Sequence, residues 1–302
     1  MASAREKSLA ALSTPEALVC AFVICSSCFL FACRSPSVAD EGEASPLSLL
    51  GEGSLLYLAA DARAHQDLVV SLLASSAGLP PQDAQVLAGR MGFVCVAVGG
   101  EGSFELACTA RFPKRMTESR LAKSSSPFTK HKVAVEGFRG KKFTHTPTGL
   151  EVAFLDHGLL CAGESVEPMI EHFASAKPLD QSPRNEWLLG ALDEPSIRFY
   201  SERPLEFLEA AVGFPEGVGG KLIESIAGSL MPSGEGYSVE LYFRVASSRA
   251  VGALKAMLTL SLGSMGASVE DAGDSVLKVG GIELTAEEVA SLLSHQRGRS
   301  VK

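Results

Sequence analysis

The chain has 302 residues, a formal net charge of -8 and 46% hydrophobic residues, of which few are aromatic. That length bounds it to one large domain or two small ones. The acidic balance excludes nucleic acid as the principal partner, because phosphate binding draws on basic surface.

The first segment carries Arg5 and Lys7, offset by Glu6 and Glu16, and then runs without charge from Ala17 to Phe31. Leu18, Val19, Phe22, Val23, Ile24 and Phe29 dominate the run. It is shorter than the about 20 residues a membrane-spanning helix needs. A basic start, a short apolar core and a small-residue cleavage site read as a secretory signal over residues 1–32. Leu30-Phe31-Ala32-Cys33 has the layout of a lipobox, which makes Cys33 the expected lipidation site. Phe31 departs from the small residue common at its position, and an uncleaved anchor is the alternative. Residues 33–53 are small and polar, as a flexible tether requires.

The first unit is expected over 54–176. Ser54 to Ala60 reads as a strand, with helices from Ala64 to Ala77 and, after Pro80-Pro81, from Gln82 to Met91. Gly92 to Val98 and Ser103 to Ala110 read as a hairpin. A short helix over Lys114 to Lys123 precedes strands near 131–136, 142–146, 150–155 and 158–162. Ser165 then caps a helix whose Val166, Met169, Ile170 and Phe173 share one face. Residues 177–195, crowded with Pro178, Pro183 and Pro195, read as a linker.

The second unit is expected over 196–296. A strand from Ser196 to Ser201 leads to helices over Pro204–Val212 and Val218–Met231. A strand over Tyr237–Ala246 and a helix over Ser248–Leu262 come next, then strands near 267–272 and 274–280. Thr285 and Glu288 form a capping box that opens a last helix, and 297–302 is a tail. The layout implies an α+β fold: two related units of antiparallel sheet with covering amphipathic helices, the first carrying one extra hairpin. Residue identity between the halves is slight, so the relation is one of layout.

Helical-wheel positions at about 100° per residue give several of these helices apolar faces wider than a sheet-covering stripe. The expected membrane- or lipid-contacting residues are Leu68, Leu72 and Leu73 in the first helix and Leu205, Phe207, Leu208 and Val212 in the Pro204 helix. Leu222, Ile223, Ile226 and Leu230 in the Val218 helix complete the set with Leu254 and Leu258 in the Ser248 helix. Three occupants satisfy such faces: a second protein layer, an apolar pocket for a lipid tail, or a bilayer interface. None of these helices has the Lys/Arg-rich polar face typical of peripheral membrane helices.

One segment breaks the acidic trend. Lys114, Arg115, Arg120, Lys123, Lys130, Lys132, Arg139, Lys141 and Lys142 face only Glu118 and Glu136 in sequence. This 114–142 region suits an acidic partner or anionic headgroups, or else is a solvated hairpin. Outside the signal and lipobox, Cys95, Cys108 and Cys161 are an odd set in strand-like runs, read as buried thiols with one disulfide as the alternative. His65, His131, His145, His157, His172 and His295 are scattered, and no metal-ligand spacing, phosphate loop or nucleophile elbow occurs. The reading is therefore of a non-enzyme with no cofactor and no metal, although a dispersed triad is invisible in sequence.

With the lipobox ending in Cys33 and weakly charged helices at 64–77, 204–212, 218–231 and 248–262, the chain resembles spirochaetal envelope lipoproteins. More narrowly it is similar to the treponemal concealed outer-membrane lipoprotein. The resemblance implies acylation such as palmitate at Cys33, a periplasm-facing place on the outer membrane, and helices that engage the bilayer or bind lipid or glycolipid and alter permeability. It equally fits periplasmic lipoproteins with duplicated α+β units that act as interaction or scaffold proteins without insertion. Arg34-Ser35 after the cysteine lacks the Asp that retains some lipoproteins at the inner membrane, which stays the alternative.

Overall fold

The computed structural model describes residues 45–77, 81–99, 103–124, 126–147, 149–156, 158–175, 182–204, 222–234, 236–263 and 266–289. Twelve strands form a single sheet: β1 (Leu56–Asp61), β2 (Met91–Val98), β3 (Phe104–Ala110), β4 (Phe128–Val135), β5 (Phe138–His145) and β6 (Glu151–Phe154). These continue with β7 (Leu159–Gly163), β8 (Ile197–Ser201), β9 (Ile223–Ser233), β10 (Gly236–Val245), β11 (Ser268–Gly273) and β12 (Val276–Thr285). The α-helices given bounds among the described residues are α1 (Gln66–Ala77), α2 (Pro81–Ala88), α3 (Lys114–Leu121), α4 (Glu167–Ser175), α5 (Pro183–Leu189) and α6 (Val251–Leu262).

The strand order is β11-β12-β10-β9-β8-β1-β2-β3-β7-β6-β5-β4. The joint between the first and second halves of the chain is the antiparallel pair β1–β8, with Tyr57 opposite Tyr200 and Ala59 opposite Arg198. Outward from that joint, the first half places β1, β2 and β3 before β7 and β6, and the second places β8, β9 and β10 before β12 and β11. The β4–β5 hairpin lies beyond β6.

Strand alternation separates two faces. On one face, Leu106, Cys108 and Ala110 of β3 join a core with Ala84 and Ala88 of α2 and Leu121 of α3. Further along the sheet this face carries Ile226, Phe243, Leu277 and Val279, covered by Leu254 and Leu258 of α6. On the reverse face of the first half, Tyr57, Cys95, Ala107 and Cys161 pack under Leu49, Met169, Ile170 and Leu188. The mixed fold is thus α+β, with antiparallel pairing between every pair of neighbouring strands described.

Two sequence expectations are corrected. The Val218–Met231 helix is in its described part the strand β9. Ile223, Ile226 and Leu230 have helical spacing, but a register shift opposite Arg244/Val245 makes Glu224 an extra residue. Such a bulge returns the strand to the same face after three residues instead of two, which imitates an i, i+3 pattern. The 177–195 segment is not wholly linker, since it contains α5. Ser182 caps α5 by accepting the Asn185 N–H, and Pro183 occupies the first turn, where its missing donor costs nothing. The final capping box forms as expected: Thr285 Oγ1 accepts the Glu288 N–H, and the Glu288 carboxylate accepts the Thr285 N–H.

Candidate functional site

The apolar residues singled out in sequence fall into three groups. Leu254 and Leu258 point from α6 into the core, 1% and 6% exposed, alongside Ile223 and Ile226 of β9. Leu222 and Leu230 are partly buried against the same cluster. Leu68 is buried at a seam with Ile197, Tyr237 and Val289. Leu68, Ile223, Ile226, Leu254 and Leu258 are therefore interior in this conformation, and lipid could reach Ile223, Ile226, Leu254 or Leu258 only by opening the core. Cys33, Leu205, Phe207, Leu208 and Val212, and the side chains of Leu72 and Leu73, lie outside the described residues.

The outward side of α6 is the part of the apolar Ser248 helix that docking leaves uncovered. Lys255 is the helix's one charged residue and is itself half-buried. Gly252, Ala253, Ala256, Thr259, Leu260 and Ser261 face solvent, and Leu260 is 85% exposed. A water-facing helix side ordinarily carries charge. Here the side is small and uncharged around one large apolar side chain, so contact with an apolar phase strips little bound water from it. The wheel showed α6 to be apolar nearly all round, but which side would be left uncovered depended on how the helix docks.

The seam around Leu68 holds the sharpest electrostatic feature. His65 is 4% exposed, its Nδ1 lies 3.2 Å from the Tyr237 hydroxyl, and its Nε2 is buried without a hydrogen-bond partner. Burial holds the imidazole below its ordinary pKa, while the Ser196 backbone and the Asp61 carboxylate work in the opposite direction. The Ser196 backbone therefore stabilises the charged ring electrostatically, although Nε2 has no partner of hydrogen-bond geometry. Burial also raises the Tyr237 phenol, with Asp67 adding to the shift.

On the reverse side, the chain's single tryptophan ties α5 to the second half of the sheet. Trp187 Nε1–H donates to the Gly228 carbonyl at 3.3 Å, and its ring meets Tyr242 edge-on with centroids 5.2 Å apart. The Arg198 guanidinium sits 4.8 Å from the same ring and donates to the Glu194 carboxylate at 2.9 Å. Gly228 is required there, because a Cβ would run into the Phe199 ring. Sequence reading missed this cluster, whose one local signal is the Ser182-Pro183 helix start.

The basic 114–142 region divides into paired and exposed charges. Lys114 meets Asp156 at 2.8 Å and Lys141 meets Glu118 at 2.6 Å. Lys142 bridges Glu151 at 2.7 Å and Glu167 at 3.0 Å. Burial works to lower its pKa, but the two carboxylates outweigh burial and hold it above the ordinary value. Lys130, His131, Lys132 and Arg139 are exposed. Cys95, Cys108 and Cys161 are free and buried, and burial pushes the Cys108 thiol up to about 12 and the other two upward as well.

Among the described residues no His/Cys/Asp/Glu group has metal-site geometry, and no helix is long and apolar enough to cross a membrane. No protein-family model and no curated protein sequence matches the chain. The fold matches crystal structures of TP0453, a Treponema pallidum protein. Crystal form III superposes with a TM-score of 0.66 at 14% identity, over 84% of this chain and 100% of that one. Form I gives 0.63 at 14% identity over 84% and 98%, and form IV gives 0.63 at 15% over 83% and 97%. At such identities the likeness is one of fold, and it extends over nearly the whole of the TP0453 chain.

Proposed function

We propose that this chain is a lipid-anchored envelope lipoprotein, acylated at Cys33, whose folded body faces the periplasm and engages the bilayer or a lipid or glycolipid. The observation that carries the reading is the uncharged outer side of α6, with Leu260 85% exposed. The lipobox Leu30-Phe31-Ala32-Cys33 and the fold likeness to TP0453 support an envelope location, with the outer membrane favoured. Acyl chains at Cys33 would hold the protein at the surface, since two or more chains bind far more firmly than one. Contact through α6 would then serve lipid handling or permeability instead of anchoring. The protein acts by binding, without catalysis. The matching strand order outward from β1 and β8 supports a duplicated unit, with β4–β5 as the addition.

The deciding measurement is flotation of the unacylated Ser35-to-Lys302 fragment with neutral and anionic liposomes, beside Leu260→Asp. Flotation that the substitution reduces supports bilayer contact through α6. A fragment that stays at the bottom with both lipids removes this reading.

A second reading, an interaction or scaffold lipoprotein without membrane contact, is favoured by the exposed cations on the β4–β5 hairpin. Its test is a pull-down with Lys130→Glu and Lys132→Glu, which spare the ion pairs of Lys141 and Lys142. An unchanged partner list rejects it.

A further inference from the structure

Among the described residues the sheet ends in two edge strands, β4 on one side and β11 on the other. Their exposed charges are opposite in sign: β4 presents Lys130 and Lys132 on either side of His131, and β11 presents Glu270 and Asp271. Charge on an edge strand ordinarily prevents edge-to-edge association. That purpose is met by either sign, and does not account for one edge being basic and the other acidic.

The topology gives the opposite signs a geometric use. Every pairing in the sheet is antiparallel, and the sheet has twelve strands, so its two end strands run in opposite directions. A second copy set with its β11 beside β4 therefore continues the antiparallel ladder with the same face of the sheet on the same side. Lys130 lies opposite Phe143, on the face of the α2–α3 core, and Asp271 lies opposite Leu277, on the same face under α6. His131 lies opposite Lys142 and Glu270 opposite Lys278, both on the reverse face. The register that opposes Lys130 to Asp271 also opposes His131 to Glu270, whereas a one-residue slip would put each charge on the wrong face.

We propose that copies of this chain associate head to tail by edge addition, β4 of one beside β11 of the next, with Lys130 facing Asp271 and His131 facing Glu270. Main-chain hydrogen bonds between the edges supply the attraction, and the charges select the partner. Two-fold β4–β4 or β11–β11 pairing would set like charges against each other, which is destabilising across strands. The interface is heterologous, so it builds a ring or an open row of subunits. The β11 ladder is regular from Ser268 to Asp271 before its register shifts, which keeps the contact short and the association concentration-dependent.

The test uses the full chain in the membranes of cells producing it. Directly opposed residues in an antiparallel pair have Cβ atoms about 4.5–5.5 Å apart, close to the about 3.5–4.5 Å of a disulfide. A chain carrying both His131→Cys and Glu270→Cys is expected to form, on mild oxidation, a ladder of cross-linked dimers, trimers and larger species. The parent chain beside it sets the background from native cysteines. Each single variant alone gives no dimer, and the two co-produced give dimer but no ladder. Adding Lys130→Glu to the double-cysteine chain is expected to reduce the ladder at least tenfold, and adding Asp271→Lys as well restores it, which misfolding could not do. Absence of the ladder, a dimer from His131→Cys alone, or a ladder indifferent to Lys130→Glu overturns the proposal.

Discussion

His65 and Tyr237 are 172 residues apart in the chain and meet at 3.2 Å, imidazole Nδ1 to phenol oxygen, in a buried seam with Leu68, Ile197 and Val289. Their ring centroids are 5.7 Å apart. The contact fastens the turn before α1, in the first half of the chain, to β10 in the second. Protonating the ring would place a charge in a buried seam, a cost that the Ser196 backbone offsets only in part.

The pH dependence follows with a definite sign. Burial holds the folded pKa of His65 below its ordinary value, so the unfolded chain binds the proton more readily. The contribution is fully present above the unfolded value and is lost as pH falls through the folded one. The Ser196 backbone and the Asp61 carboxylate favour the charged ring and reduce the effect without reversing it. Denaturant midpoints taken between pH 7.5 and 5 are expected to fall for the native chain and to fall less for His65→Leu. His145, also lowered by burial, accounts for part of the remaining slope. Parallel slopes in the two proteins would reject this role for His65.

Core and candidate contact surface are separable by two aspartate substitutions. Ile226 is 1% exposed, so Ile226→Asp removes core volume and buries a carboxyl group, at a cost of about 4 kcal/mol or more. Leu260→Asp alters an exposed site and should change stability by no more than about 0.5 kcal/mol. Urea denaturation with circular dichroism distinguishes them: the first variant unfolds early or fails to fold, and the second matches the native curve. A native-like curve for Ile226→Asp would mean that β9 does not face the core.

Gly228→Val tests the attachment of α5. The added side chain meets the Phe199 ring and comes 3.0 Å from Leu241 Cδ2 at its Cβ. Overpacking of this kind costs about 1–3 kcal/mol. Displacement of β9 would also disturb the Trp187 Nε1–H bond to the Gly228 carbonyl. Emission from the single tryptophan is expected to shift to longer wavelength together with a lower denaturation midpoint. Stability lost with unchanged emission would place the strain away from α5.

The three described thiols should be inert in the folded protein. Cys95, Cys108 and Cys161 are at most 1% exposed, and burial raises their pKa values, which leaves little thiolate to react. Mass spectrometry after alkylation at neutral pH is expected to show these three unmodified, then all modified in denaturant. Native-state labelling of any of them would show that its strand is open to reagent.

The sequence by itself determined the elements whose signals are local. The β2–β3 hairpin and the strands β8 and β10 were legible as short apolar and β-branched runs bounded by turn residues. The Thr285–Glu288 capping box was legible because both of its hydrogen bonds close within one helical turn. The tertiary structure alone decided what depends on a neighbouring strand or an opposing face. Ile223 and Ile226 share a core because β9 bulges against β10, a relation that exists only once the two strands pair. Leu254 is buried and Leu260 exposed because α6 docks on one side, and a helix so uniformly apolar carries no pattern telling which side that is. His65 with Tyr237, and the opposite charges of the β4 and β11 edges, came from the order of twelve strands, which non-local pairing sets and short-range periodicity cannot encode.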